Sequence, residues 1–584
     1  MTEGPDRVRL EEIDWQAALP VTHIFSCFRM AIHPSKILLA LAMIVLLYLC
    51  GTLMDVMSST PVYRGERDHY EAIVEYESKS RNRSEAPPSL DEWRVEQSRS
   101  NEYELKLILG GRDRTQLPNR TLSLSVDPEQ IASIVEGSSP YSRAIDEINA
   151  AFKNRGKAIE DRDTDEAAAT VAALNHDRRV LIYQVRQLQP KGVFAAVVAF
   201  KLSCFHELVR AAASFNLGVG ELLPHPGTPP DPLAVVSSPP TVVGSLKKLI
   251  IKLPCWMWAF HPWFLVVFGI VSFVLWSWLG GGLARLAALH ATRDDRATTG
   301  SAVGFGGTRF FWFFLAPLMP IIISILIVAC MAAVGFVLFN VEVLEWLGGL
   351  LFILALGASL AVTLLLIGLL AGCNLLYPAI AVEGTDAFDA ISRSYNYVLG
   401  RPWRMIFYNV SALIYGAISY TFLSIVVYLT LLVTHNAAGA LVVRSKYGVN
   451  RFDAMMPKPV FGSLLQDVDW YALNWSAKVA AVMVHVWTWL AVAFLAAFAI
   501  SFYLCASTWV YLLLRRAADG TEFDDVFVAN AQSEPDFLAP QPPLQEAGSE
   551  AESDPAAPDA ADSQGAADAD DDRTGGASPP ASDA

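Results

Sequence analysis

The sequence predicts a mainly α-helical, polytopic membrane protein with about six transmembrane helices, interfacial amphipathic helices and an extracytoplasmic α+β insertion containing a helical hairpin. Three observations predict this class. Hydrophobic residues make up 53% of the 584 residues and charged residues only 18%, a balance too apolar for an ordinary soluble multidomain protein. Six apolar runs are long enough to cross a bilayer. A long polar segment, residues 58–262, separates the first run from the other five.

Each apolar run reaches the roughly 20 residues that a helix needs to cross a hydrocarbon core of about 30 Å. Pro317 and Pro320 predict a kink in the third run. The first run is long for a signal peptide and no small-x-small cleavage site follows it, so we expect an uncleaved anchor. The six predicted spans are residues 37–57, 263–283, 310–340, 347–380, 405–434 and 479–514.

Lys and Arg residues near the span ends predict that both termini are cytoplasmic. Under that topology the inner flanks hold 13 Lys and Arg, whereas the short outer turn 341–346 holds none. The outer loop 435–480 carries five, so the bias is moderate. The predicted division of the chain is a cytoplasmic segment with an interfacial helix (1–36), the first span (37–57), an extracytoplasmic domain (58–262), a five-span domain (263–514), a cytoplasmic cap (515–530) and a disordered acidic tail (531–584).

The acidic character of the chain is concentrated in that tail. Residues 531–584 hold 13 Asp and Glu against one Arg, and the net charge of the whole chain is −15. The remainder is therefore close to neutral, so no basic field indicates nucleic acid as a partner. Ala, Pro, Asp, Ser and Gly dominate the tail, which cannot bury enough apolar surface to offset its ordering entropy. We favour a solvating tail over one that recruits a basic partner.

Two kinds of hydrophobic periodicity occur in the segment 58–262. YELKLIL (103–109) and TLSLSV (121–126) alternate with period two, which predicts a short hairpin or sheet edge. Residues 141–189 change to helical spacing, interrupted by Arg178, and predict a helical hairpin with two facing stripes. The first stripe is Ile145, Ile148, Phe152 and Ile159, and the second is Val171, Leu174, Leu181, Val185 and Leu188.

The approach to the second span, residues 242–262, mixes lysines with aromatic residues. A helix lying in the membrane interface and a snorkelling flank of the span explain this pattern equally well. The seven cysteines are scattered without a CxxC pair, which favours packing roles. Cys204 and Cys255 would pair only in an oxidising compartment, and their spacing leaves this open.

Candidate catalytic and ligand-binding patterns are incomplete in this sequence. His206-Glu207 begins like HExxH, but Arg210 stands where the second zinc ligand would be. GSAVGFGG (300–307) lacks the Lys-Ser/Thr of a phosphate loop. Asn374, Asn409 and His485 lie within spans, where we favour bonds between helices over a transport pathway. The sequence therefore predicts no catalytic, cofactor-binding or metal-binding residue.

A charged stretch, EGTDAFDAISRSYNYVLGRPWRMIFYN from Glu383, interrupts the apolar runs. Thr385 is a suitable N-cap, Gly400 a suitable C-terminal residue, and Pro402 prevents continuation of the helix. We expect an amphipathic helix of about 14 residues, roughly 21 Å long, lying on the inner membrane surface. A helical loop packed on its neighbours is the alternative. The apolar stripe is Phe388, Ile391, Tyr395 and Val398.

Parts of this stretch recur elsewhere in the chain. The acidic-Gly-Thr-acidic pattern of residues 383–386 returns at 519–522, after the last span. His-Pro precedes two spans, at His33-Pro34 and His261-Pro262. We interpret these echoes as one reused unit, an interfacial helix followed by a membrane helix.

The stretch AVEGTDAFDAISRSYNYVLGRPWRMIFYN resembles a segment of the membrane domains related to bacterial glycerophosphodiester phosphodiesterases and of the Yip-like group. LPVTHIFSCFRMAIHPSKILLAL, GGGLARLAALHATRDDR and YLLLRRAADGTEFDDV are similar to segments of uncharacterised bacterial multi-span membrane proteins. The resemblance covers the membrane part and implies its architecture and a bacterial inner-membrane location. No phosphodiesterase catalytic domain accompanies it, so that activity is not implied.

Together these patterns favour a non-enzymatic integral membrane protein with a role in membrane organisation, assembly or partner scaffolding. A transporter or permease component is the first alternative, because the spans are long, Gly-rich and interrupted by proline. A lipid-modifying enzyme is the second. We expect membrane lipids as partners, and protein partners through residues 58–262 or the acidic tail. The sequence leaves the oligomeric state open.

Overall fold

The computed structural model describes residues 20–527, with gaps at 59, 79–86, 112–121, 123, 125, 161–164, 219–239, 295–296, 443–444, 447–448 and 463. The predicted tail 531–584 and residues 1–19 of the predicted N-terminal segment lie outside the described residues. In chain order the described α-helices are α1 (Cys27–Ala31), α2 (Pro34–Met57), α3 (Glu66–Ser78), α4 (Leu90–Leu109), α5 (Pro128–Val135), α6 (Pro140–Glu160), α7 (Asp165–Leu188), α8 (Val193–Ala213), α9 (Val242–Lys247), α10 (Leu253–Phe260), α11 (Pro262–Leu275), α12 (Gly281–Arg293), α13 (Thr299–Thr308), α14 (Phe310–Phe339), α15 (Glu345–Glu383), α16 (Ala387–Gly400), α17 (Pro402–Gly439), α18 (Arg451–Met455) and α19 (Trp475–Asp519).

Within the described residues, six helical segments are long and apolar enough to cross a membrane. They confirm the six predicted spans and support a membrane location. The segments are α2, Pro262–Arg293 (α11 and α12 joined by a π-helical turn), α14, α15, α17 and α19. Pro317 and Pro320 lie inside the uninterrupted helix α14. Because successive spans run in alternating directions, the end of α2 and the start of α11 lie at one end of the bundle, here called the domain end, and α15 and α19 end at the other, here called the termini end.

Four spans share one order of elements, a short helix followed by a long one, and the interfacial position of the short helices stays a prediction. A short helix directly precedes four of the spans: α1 before α2, α10 before α11, α13 before α14 and α16 before α17. Three of these spans carry proline at the first helical turn, namely Pro34, Pro262 and Pro402. Proline is well tolerated there because its missing N–H has no partner in the first turn.

Helix α16 matches the predicted length of 14 residues, but its cap and its buried face differ from the prediction. Asp386, not Thr385, is the N-cap, and its carboxylate accepts a hydrogen bond of 2.9 Å from the Asp389 amide. Phe388, predicted to lie in the apolar stripe, is 65% exposed. Val398 of the predicted stripe is buried, together with Ala387, Ala390, Ser394 and Tyr397. The Ser394 hydroxyl donates to the carbonyl of Gly372 in α15. Helix α16 therefore packs closely against the last turns of α15.

The two acidic-Gly-Thr-acidic segments form equivalent helix ends. Gly384 ends α15 and Gly520 ends α19, each in the left-handed backbone conformation that glycine adopts most readily. The acidic residue before each glycine accepts a hydrogen bond from a tyrosine: Tyr511 donates to Glu383, and Tyr397 donates to Asp519. The sequence echo thus has a structural counterpart at the termini end.

A buried ionic contact joins these helix ends. The Nε atom of Arg515 lies 2.8 Å from a carboxylate oxygen of Glu383, and the Arg515 side chain is 5% exposed. Arg515 also donates to the backbone and carboxylate oxygens of Asp525. The Phe527 amide donates to the carbonyl of Val382. The segment after α19 is therefore fixed against the end of α15.

The predicted α+β character of residues 58–262 is wrong, because residues 103–109 belong to the 20-residue helix α4. Its buried residues Leu105, Ile108 and Leu109 follow helical spacing, and Ser89 and Glu92 form a capping box at its start. In the second run, residues 121, 123 and 125 lie outside the described residues, and Leu122, Leu124 and Val126 belong to no strand. Within the described chain, strands are limited to a two-residue antiparallel pair in the loop before α19, β1 (Ser445–Lys446) and β2 (Val449–Asn450).

The predicted helical hairpin is confirmed as α6 packed against α7. Ile148 and Phe152 of α6 are fully buried with Leu174, Leu181 and Val185 of α7. Residues from the second loop at the domain end and from the start of α19 complete this core: Ala454, Val468, Ala472, Leu473, Ala477 and Ala481. The hairpin of α6 and α7 therefore shares one core with the start of α19.

Arg178, which interrupts the apolar stripe of α7, links the hairpin to the loop before α19. Its side chain is 1% exposed and donates to Asn149 of α6, to Asn175 and to both carboxylate oxygens of Asp469. Burial lowers the pKa of Arg178 to about 10, which still leaves the guanidinium charged at neutral pH. The charged residue therefore ties the hairpin to the loop before α19.

We predict that Asp469→Asn lowers the free energy of unfolding of the domain end by about 3 kcal/mol, since it leaves the buried Arg178 charge without its counter-ion. Asp467→Asn is the matched control, because its partner Arg186 joins the same two elements on the surface, with side chains 38% and 80% exposed. We expect the control to cost less than about 1 kcal/mol. Hydrogen exchange of α7 in the purified protein measures both, and equal effects would contradict the role of Arg178.

Candidate functional site

Helix α8 lies against the spans rather than in the domain beyond them. Asp55, in the last turn of α2, accepts hydrogen bonds from the amides of Phe194 (2.7 Å) and Ala195 (3.0 Å). A carboxylate at this position stabilises the positive end of the helix dipole. Gly51 of α2 admits the Phe194 ring, whose nearest carbon lies only 2.2 Å from the position that a Cβ atom of residue 51 would take. The start of α8 is thereby fixed to the first span.

The second half of α8 packs along α17. The rings of Phe205 and Tyr420 meet edge to face with centroids 5.0 Å apart. Further along, Ala211 and Ala212 are fully buried in a cluster that contains Ala417. Small side chains at such a contact let two helix backbones approach closely. Helix α8 therefore extends from the end of the first span to the middle of the fifth.

Ion pairs hold the segment between α9 and α10 to α8 and to α3. Lys248 donates to Glu207 of α8 at 3.0 Å, and Lys252 donates to Glu71 of α3 at 2.8 Å. Both lysines are between 40% and 45% exposed. These two lysines, which the sequence placed either in the interface or on a snorkelling flank, bind protein carboxylates.

Helix α8 closes a cavity of about 390 Å³ between α15, α17 and α19. This volume lies in the range of about 300 to 1,000 Å³ that is typical of small-molecule sites. The walls are mainly aliphatic and aromatic, with no charged side chain among the residues described around it. The lining residues are Phe205, Leu208, Val209, Leu246, Asn374, Asn409, Ala412, Leu413, Gly416, Ala417, Tyr420, Phe498, Ala499, Phe502, Tyr503, Ala506, Ser507 and Val510.

Two amides supply the strongest polar groups of this cavity. The Nδ2 atom of Asn374 in α15 donates to Oδ1 of Asn409 in α17 at 2.6 Å, and Asn409 donates to the carbonyl of Met405. The Oδ1 atom of Asn374 is buried and receives no hydrogen bond from the described residues. One acceptor therefore remains for a ligand that carries a hydroxyl or amide N–H.

The structure brings together two of the three intramembrane polar residues that the sequence singled out. Asn374 and Asn409 bond to each other as expected, whereas His485 lies in the part of α19 nearer the domain end, away from this cavity. Glu207 of the HExxH-like segment pairs with Lys248. Cys204 and Cys255 are free thiols, the first buried and the second exposed. Among the described residues, no group of three or more His, Cys, Asp or Glu is placed to hold a metal ion.

Comparisons with protein-family models, with curated proteins and with solved structures gave no match. The resemblance to the Yip-like and phosphodiesterase-related membrane domains therefore stays a prediction. Function has to be inferred from the geometry of the chain itself.

The cavity walls were missed from the sequence because their contacts are remote along the chain. Lys201, Glu207 and Arg210 interrupt the apolar run of α8, so its composition does not mark it as a helix among spans. Its face Phe205, Leu208 and Val209 does follow helical spacing, and Ala211 and Ala212 offer a small-residue contact. These were the available signals.

We predict that Asn374→Leu lowers the free energy of unfolding by about 1 kcal/mol, since it removes the bond to Asn409 in an apolar environment. Asn409→Leu should have a similar effect, and the double variant should cost less than the sum of the two. Thermal unfolding in detergent measures all three. Strict additivity would show that the two amides do not interact.

Proposed function

We propose that this protein is a membrane-organising protein that holds the hydrocarbon chain of a lipid in the cavity beside α8. The proposal rests on an apolar cavity of about 390 Å³ inside a bundle of helices that are apolar enough to span a membrane. Binding, rather than catalysis, is the proposed activity.

The chemistry of the walls supports a hydrocarbon ligand. Phe, Leu, Val and Ala side chains form most of the surface, so the CH₂ groups of a lipid chain keep an apolar environment when they enter it from the bilayer. A lipid chain reaches the site from the surrounding bilayer without crossing water, because the neighbouring helices are themselves apolar enough to span a membrane. The buried acceptor on Asn374 would receive a hydroxyl or amide of the ligand near the end of the chain.

The exposed part of α14 and α15 fits a protein embedded in lipid. Ile325, Phe336, Ile353 and Leu370 are each more than 60% exposed, as are several of their neighbours. Lipid tails or apolar partner helices would cover such a surface in a membrane. This hairpin is the site through which we propose that the protein contacts other membrane proteins.

A transport role receives less support from the same cavity. A pathway for ions or polar solutes needs charged or strongly polar groups deep in the bundle. The described walls carry amides and hydroxyls but no charged side chain. As part of this proposal, the distribution of Lys and Arg supports cytoplasmic termini. The proposed bacterial inner-membrane location rests on the resemblance to bacterial multi-span proteins.

The proposal predicts that filling the cavity displaces a tightly bound lipid. In Ala499→Phe the new ring would occupy the space between α17 and α19, and we expect retained lipid to fall by about one molecule per chain after detergent exchange. Mass spectrometry of the purified, intact chain measures it. Ala412→Leu, a smaller change in the same wall, should give a partial loss.

Ala361→Phe is the matched control, because Ala361 lies on the exposed face of α15. We expect it to retain the same amount of lipid as the unchanged protein. Thermal unfolding checks that all three variants are folded. The proposed site would be refuted if Ala499→Phe and Ala412→Leu retained as much lipid as Ala361→Phe.

A further inference from the structure

A second cavity lies at the domain end of the first two spans, against the other face of α8. Its volume is about 220 Å³. Its walls are the turn at residues 62–67, the turn at residues 187–191, the first half of α8 and Trp256. Val62 and Lys191 join the two turns through a pair of backbone hydrogen bonds of 2.9 and 3.0 Å.

The two cavities are separate sites. Ala196, Ala199, Phe200 and Ser203 of α8 line the second cavity, whereas Phe205, Leu208 and Val209 line the first. At about 100° per residue these two sets point about 180° apart around the helix axis. A ligand in one cavity is therefore screened from the other by α8 itself.

The second cavity is electropositive. Arg64, Arg67 and Lys191 line it, and neither Arg64 nor Lys191 forms a salt bridge within the part of the chain that the structure describes. Arg67 lies over the ring of Phe200, with 3.9 Å between its guanidinium carbon and the ring centroid. An uncompensated cluster of this kind attracts anions.

The carboxylate of this cavity does not neutralise the cluster. Glu66 is 1% exposed and already binds two other groups. Its oxygens lie 3.3 Å from Arg94 and 2.9 Å from Nε2 of His261. Glu66 is therefore paired with Arg94 and His261. Arg64, Arg67 and Lys191 remain to bind a ligand.

A buried donor also lacks an acceptor here. Trp256 lines the cavity and is 2% exposed, and its Nε1–H finds no acceptor among the described residues. A buried N–H without a partner costs about 1 to 3 kcal/mol, so an acceptor is expected at this position. Gln187 and Ser203 add further polar groups to the same wall.

We propose that this cavity binds a phosphate-type oxyanion, with Arg64, Arg67 and Lys191 supplying charge and Trp256 donating from the buried side. A tetrahedral oxyanion presents acceptors in several directions, which matches donors that come from separate elements. A phospholipid headgroup and a soluble phosphate compound both carry such an oxyanion. Both can reach the site, because it lies at the ends of two spans.

The direct test follows Trp256 in the full-length protein labelled with 5-fluorotryptophan. Its fluorine resonance is assigned by its loss in Trp256→Phe. In one arm, inorganic phosphate is titrated into protein in phosphate-free detergent, against sodium chloride at equal ionic strength. In the other, the protein is placed in nanodiscs of phosphatidylglycerol or of an uncharged galactolipid.

We expect the Trp256 resonance to shift with phosphate but not with chloride, or with phosphatidylglycerol but not with the galactolipid. The first result identifies a soluble phosphate compound as the ligand source, the second a lipid headgroup, and both together show that phosphate alone suffices. No shift in either arm would overturn the proposal.

The variant Arg64→Gln/Lys191→Gln should raise the concentration of ligand needed for half of the shift by at least about tenfold. The control Arg99→Gln/Lys106→Gln removes the same charge from exposed positions of α4. We expect it to behave as the unchanged protein. Equal weakening by both pairs would reduce the effect to general electrostatics and contradict a built site.

Discussion

The contact between Asp55 and the start of α8 is the constraint on which the two sites depend. It joins the last turn of the first span to a helix more than a hundred residues later. Because the Asp55 carboxylate satisfies two amides at the positive end of α8, the helix is held where both of its faces become walls. One face closes an apolar cavity with three spans, and the other closes an electropositive cavity with two turns.

Glycine at two positions makes this arrangement sterically possible. A Cβ atom on Gly51 would lie 2.2 Å from the ring of Phe194, and one on Gly192 would lie 2.3 Å from the carboxylate of Asp55. Both contacts are close approaches that only glycine permits without movement of its neighbours. Gly51 and Gly192 therefore help to determine the position of α8, but only the folded structure shows which residues they contact.

The opposite end of the bundle is fixed by different physics. There Tyr511 of α19 donates to Glu383 at the end of α15, and Tyr397 of α16 donates to Asp519 at the end of α19. Arg515 joins Glu383 to the segment that follows α19. Each of these buried charges needs its partner, because an unpaired charge in a poorly solvating medium costs free energy. This end anchors the spans, whereas the apolar cavity lies within the bundle and the electropositive cavity lies at the domain end.

Local patterns in the sequence determined much of the fold. The spans follow from apolar length, the hairpin of α6 and α7 from helical spacing, and the boundaries of α16 from capping residues and proline. Residues 103–109 were mistaken for a strand because a short apolar run fits both periods, and the capping box at Ser89 lies too far upstream to be part of that run. Arg178 looked like an interruption, although it is the buried joint with Asp469.

Neither cavity could be predicted from sequence, for a physical reason. Asn374 and Asn409 were recognised as bonding between helices, yet their role as a wall depends on Phe205 of α8, far away along the chain. Trp256 and Lys191 carry no motif, and only tertiary contact places them in one cavity. Such sites are formed by contacts between residues far apart along the chain. Periodicity and capping rules describe only residues that are close together in sequence.

The position of α8 against the fifth span is the central claim, and photo-crosslinking in native membranes tests it most directly. Benzoylphenylalanine replaces Phe205, whose ring meets that of Tyr420, and Tyr183 on the exposed face of α7 serves as the control site. The structure predicts an intramolecular adduct within Pro402–Gly439 from position 205 and none from position 183. Adducts from position 205 confined to residues 90–188 would contradict it.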